Sequence, residues 1–146
     1  MKKLILLLIL FISCQSNAQC EITFEDIIKN CLKNSSDFDT FALNHNFSLD
    51  TTDKVYFCDY NIQLPTVLRR LSNGNLVTIQ YSTYSKTSYL ELKNGIQKMG
   101  LKYDGTQNAG NMVMYEYSLN DIWIRLAVET KEFDTNYIMT MRITLQ

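Results

Sequence analysis

Apolar positions recur along this chain with two different periods, and the change of period marks its elements. In TFEDIIKNCLKN (23–34), Phe24, Ile27, Ile28, Cys31 and Leu32 fall at helical spacing, with Thr23 and Asp26 set as a capping pair. A second, shorter helix is predicted over 36–46, capped by Ser36, with Phe38, Phe41, Ala42 and His45 on one side. A third, over 86–100, carries Tyr89, Leu92, Ile96 and Met99 as its buried stripe. Gly95 lies inside it at a cost in stability, and Gly100 ends it.

The other segments alternate. KVYFCDY (54–60) is rich in strand formers, and in 67–83 Asn73-Gly74 separates two strand-like runs, a hairpin signal. The competing reading makes Pro65 the first residue of a short helix closed by Gly74. A second hairpin is predicted over 112–129, with Ile122, Ile124, Leu126 and Val128 inward and Trp123, Arg125 and Glu129 outward. Residues 136–145 alternate as well, whereas DGTQNAGN (104–111) reads as a loop.

Val67, Ser72 and Leu76 match Val113, Ser118 and Ile122 at an offset of 46 residues, which suggests two helix-plus-hairpin units. The fold expected is therefore α+β and two-layered, with helices on one face of a largely antiparallel sheet. At the level of fold alone this resembles secreted inhibitor proteins built from tandem helix–hairpin repeats, whose sheet binds an enzyme. The resemblance transfers no residue.

The chain opens MKKLILLLILFISCQSNAQC, where two lysines precede nine apolar residues, Leu4 to Ile12. Such a run reaches only about 14 Å, half of a ~30 Å hydrocarbon core, and so suits a signal peptide rather than a span. It resembles the signal peptides of Gram-negative bacteria of the Bacteroidota type, many of which end in Ala-Gln. Two processing sites compete. Small residues at Ser16 and Ala18 predict a signal of 1–18 and a single domain of 19–146. Alternatively, FISC resembles a lipobox, in which Cys14 would be lipidated and the protein membrane-anchored. The expected location is periplasmic or secreted in the first case, and the envelope by a lipid anchor in the second.

Without residues 1–18 the chain keeps 12 basic against 15 acidic side chains, a net charge of −3. That balance disfavours nucleic acid as a partner, and no second apolar run is long enough to span a membrane. Cys20, Cys31 and Cys58 remain, an odd number that predicts one disulfide and a spare thiol in an oxidising compartment. Cys31 on the helical stripe and Cys58 in a strand are the favoured pair. With no C-x-x-C and one histidine, the chain offers no structural metal site, and no cofactor is implied.

Candidate chemistry is sparse. His45 is the only imidazole, at the edge of an apolar helix face, so a thiol enzyme would have to pair it with Cys58. A hydrolase could draw on Asp59, Glu116 or Glu129, and a carrier of small apolar ligands on Met99, Met112, Met139 and Met141. The aromatic outward positions are more informative. Trp123, with Arg125, Arg69 and Tyr84 alongside, would give a helix-free sheet face the residue types enriched at interface hot spots. The reading preferred over an enzyme or a carrier is an exported, non-enzymatic module that binds another protein or an envelope component, for instance as an inhibitor or immunity protein.

Overall fold

The computed structural model describes residues 20–31, 33–58 and 64–145. The expected signal segment 1–18, with Cys14, and the candidate acid Asp59 lie outside them.

Among the described residues the chain forms three helices and eight strands, an α+β fold in which sheet predominates. Helices α1 (Phe24–Cys31) and α2 (Ser35–Asn44) precede β1 (Ser48–Asp50), β2 (Val55–Cys58), β3 (Thr66–Asn73) and β4 (Leu76–Thr83). Helix α3 (Lys86–Lys98) precedes β5 (Lys102–Ala109), β6 (Met112–Leu119), β7 (Ile122–Thr130) and β8 (Thr135–Thr144).

Each helix starts where a side chain satisfies its first amides. Thr23 Oγ1 accepts from Asp26 N at 3.1 Å and Asp26 Oδ2 accepts from Thr23 N at 3.2 Å, a reciprocal cap. Asn34, rather than Ser36, caps α2 by accepting from Asp37 N at 2.9 Å, and Ser85 caps α3. Gly95 has a packing reason to lie inside α3. A Cβ there would meet Phe24 Cβ at 2.5 Å, so the missing side chain lets α1 lie directly on α3. Met99, expected in the buried stripe of α3, instead stands exposed just past its end.

All neighbouring strands are antiparallel, in the order β1-β2-β3-β4-β8-β7-β6-β5. Two four-stranded meanders thus meet at β4 and β8. Three connections are two-residue turns, Gly74-Asn75, Asn120-Asp121 and Gly110-Asn111, each with its first residue at positive φ (57°, 50° and 60°). The first hairpin therefore exists, and the helix from Pro65 does not; its turn falls one residue later than Asn73-Gly74. Of the segment 104–111, residues 104–109 are corrected from loop to strand, and Gly110-Asn111 is the turn that follows. The strand is polar because it forms the sheet edge, and its register shifts between Tyr103 and Gly105 (φ 152°), a bulge that blunts the edge.

The match at an offset of 46 is also corrected. It sets β3 and β4, the last strands of one meander, on β6 and β7, the middle strands of the other. Val67 shares its side of the sheet with Ser82, while Val113 pairs with the inward Val128, so matched residues lie on opposite faces. Helices α1 and α2 precede the first four strands and α3 precedes the last four, and the apparent match reflects strand periodicity alone.

Strand residues of one parity, including Leu68, Val77, Ile79, Tyr81, Ile124, Leu126, Met139 and Met141, form one buried cluster with Ile27, Phe38, Leu92 and Ile96 of the helices. The cysteine pairing differs from expectation. Cys58 is bonded to Cys20, not Cys31, with Cα atoms 5.9 Å apart. The physical reason is tertiary: Cys20 and Ile22 lead into the core beside β2, which brings Cys20 within disulfide reach.

Two outcomes follow from this core. Cross-linking residues 38 apart should make reduction cost about 4 kcal/mol of unfolding free energy. Thiol titration of the denatured, oxidised chain should find Cys31 reactive and Cys20 and Cys58 silent; free Cys20 or Cys58 would refute the pairing. The second outcome concerns alkali. Burial above all pushes the Tyr81 hydroxyl from 10.0 up to about 12, against hydrogen bonds from Thr83 and Ser88 that lower it. Because the unfolded chain ionises first, this contribution of about 2–3 kcal/mol is complete below the unfolded value and disappears as pH rises toward the folded one. Unfolding free energy measured from pH 9 to 12 should fall less steeply in Tyr81→Phe than in the wild type.

Candidate functional site

The strand residues of the other parity form a second face, here called outer. Its cross-strand rows can be read from the register. Arg69 of β3 lies opposite Gln80, Gln80 opposite Thr140, Thr140 opposite Arg125, and Arg125 opposite Glu116. The next row holds Leu71, Thr78, Arg142, Trp123 and Ser118. Strand alternation alone puts Trp123 and three arginines on one side of the sheet.

Trp123 anchors a cluster near one end of this face. The Arg142 guanidinium carbon lies 4.9 Å from the indole centroid and that of Arg125 lies 5.0 Å from it, the first across the strand pair and the second two residues along β7. Both distances are within cation–π range. Glu116 fixes Arg125 further, its Oε1 accepting from Nη2 at 2.6 Å and from Nε at 3.1 Å. That carboxylate is only 19% exposed, so its charge is partly withdrawn from solvent and held by the guanidinium. Beside the indole opens a surface hollow of about 490 Å³, lined by Leu76, Ser118, Asp121, Trp123, Arg142 and Thr144. Leu71 and Leu76 are exposed on the same face.

The four residues expected to share a surface divide. Trp123 and Arg125 touch. Arg69 lies on the same face three strands from Arg125, roughly 14 Å away, with its Nε enclosed and making no hydrogen bond among the described residues. Tyr84 is corrected: it follows the end of β4, about 20 Å along the sheet from the Trp123 row, where Lys131 lies over its ring at 6.0 Å. It lines a separate hollow with Cys20, Cys58, Tyr81 and Ser88. Arg142, over the Trp123 ring, completes the cluster. Its signal in the sequence was its outward place between Met141 and Ile143, but only the register sets it against Trp123.

The remaining candidates are engaged elsewhere. Cys58 is in the disulfide, and His45 Nδ1 lies 2.9 Å from Phe41 O while its ring packs on that of Phe41 at 4.5 Å, so the two do not form a thiol–imidazole pair. Met139 and Met141 fill the core, Met112 lies opposite Glu129 on the outer face, and Met99 is exposed, so the four methionines line no common cavity. Glu129 lies near Asn136 and Lys131, and Glu116 is bound to Arg125. Among the described residues no helix is long and apolar enough to cross a membrane. Comparison with protein-family models, curated proteins and solved structures returned no match.

Proposed function

We propose that this protein is an exported, non-enzymatic binding module in which the three helices cover one face of the sheet and the outer face engages a partner. The partner class is another protein or an envelope component, and an inhibitor or immunity protein is the concrete form we favour. Export follows from the reading of residues 1–18 as a signal peptide, with lipidation at Cys14 as its alternative. The disulfide between Cys20 and Cys58 is consistent with an oxidising compartment.

One observation carries the reading: a tryptophan with two arginines over its ring on the face that the buried cluster does not use. Trp and Arg are the residues over-represented at hot spots because each combines a large contact area with directional polar groups. A solvated sheet face is ordinarily built from short polar and charged side chains. Here the half-buried Trp123 stands on it with the exposed Leu71 and Leu76, beside the Arg125–Glu116 ion pair and under two cation–π contacts.

A photocross-linking residue at Thr140, between Arg125 and Gln80, should give discrete adducts in an envelope fraction of the native host, while one at Leu90 on α3 should not. With the captured partner, Trp123→Ala should weaken binding by more than ~1 kcal/mol. The same substitution should cost the fold no more than about 1–2 kcal/mol, the worth of two exposed cation–π contacts. Ile124→Ala, which empties a fully buried site, should cost ~2–5 kcal/mol of stability. If Trp123→Ala unfolds the chain as badly as Ile124→Ala does, the indole is structural and the outer face is not the binding surface.

A further inference from the structure

We infer that the outer face receives an acidic segment of a partner protein, with a carboxylate flanked by apolar side chains seated on Arg142 beside Trp123. This rests on the reading of that face as a binding surface and names the chemistry it selects. The whole chain is slightly acidic, with a formal net charge of −1, so the basic character of this face is local. Of the four arginines in the sequence, Arg69, Arg125 and Arg142 all point to the outer side, and Arg70 alone points inward.

The geometry explains why a carboxylate suits the site. A guanidinium stacked on a ring uses its flat face for the contact, which leaves the in-plane N–H groups at its edge to donate in parallel to two carboxylate oxygens. Stacking also immobilises the side chain before the ligand arrives, which lowers the entropy cost of association. Arg125 is already bound to Glu116, so the carboxylate falls to Arg142, which is exposed, while Arg125 adds its field from its own place over the same ring. Leu71 and Leu76 on the same face supply contacts for apolar neighbours of that carboxylate. A phosphate polymer or an anionic membrane fits less well. Those ligands need a row of basic groups, whereas here the neutral Gln80 and Thr140 separate Arg69 from Arg125 and Glu116 follows Arg125.

Trp123 is the only tryptophan, so its fluorescence and its indole N–H resonance report on this place and no other. The blocked tripeptide acetyl-Leu-Asp-Leu-amide, titrated into the full chain at millimolar concentration, should perturb both signals saturably. It should bind about tenfold or more tightly than acetyl-Leu-Asn-Leu-amide, and added salt should reduce the difference. Arg142→Ala should abolish the preference for aspartate over asparagine, and Arg142→Lys, which keeps the charge but loses the planar stack, should restore only part of it. Equal responses to the two peptides would overturn the carboxylate assignment and leave the binding face standing. Shifts confined to residues away from β7 and β8 would overturn the face itself. No response to either peptide, or a response only to phosphatidylglycerol vesicles, would also overturn the inference.

Discussion

Between β4 and β8 the two meanders meet, and every second pair along that seam is buried: Val77 with Ile143, Ile79 with Met141, Tyr81 with Met139. Neither meander has another strand of the other half to lean on, so the seam converts two small sheets into one. A four-stranded sheet with only one or two helices buries little apolar area for its surface, whereas eight strands sharing one core bury far more. The helices depend on the same seam, because the cluster that takes up Ile27, Phe38, Leu92 and Ile96 has these strand residues as its floor.

The seam also makes the outer face. Arg142 belongs to β8 and Trp123 to β7, while Leu76 and Leu71 come from the neighbouring meander through β4 and β3. A one-residue slip between β4 and β8 would move Val77, Ile79 and Tyr81 to the outer side and lose the core, which is why the register is strongly specified. Once it is specified, the positions of the indole and the arginines are by-products of alternation. Their mutual distances still need tuning by side-chain contacts, which Glu116 supplies for Arg125.

Helix periodicity, the cap at Thr23, the outward place of Trp123 and Arg125, and the strands from 112 onward were all legible in the sequence, because each depends on neighbours within about ten residues. The edge strand β5 was not. An edge buries neither face fully, so KYDGTQNA carries no alternation to detect, and its pairing with β6 holds it extended. Spacing alone places Met99 in the core, but α3 ends at Lys98 and lets it leave the stripe.

What lies further apart along the chain only the tertiary structure decided. Which of Cys20 and Cys31 joins Cys58 depends on where the segment before α1 returns, and spacing holds no record of that. The offset-46 match showed two amphipathic hairpins but not their place in the sheet, since period-two alternation is the same for any strand. Trp123 and Arg142 stand 19 positions apart, and Arg69 and Arg142 more than 70. Alternation determined that each points outward. Only strand order brought Arg142 onto the indole and left Tyr84 at the other end, because side-by-side position in a sheet is set by which strands pair.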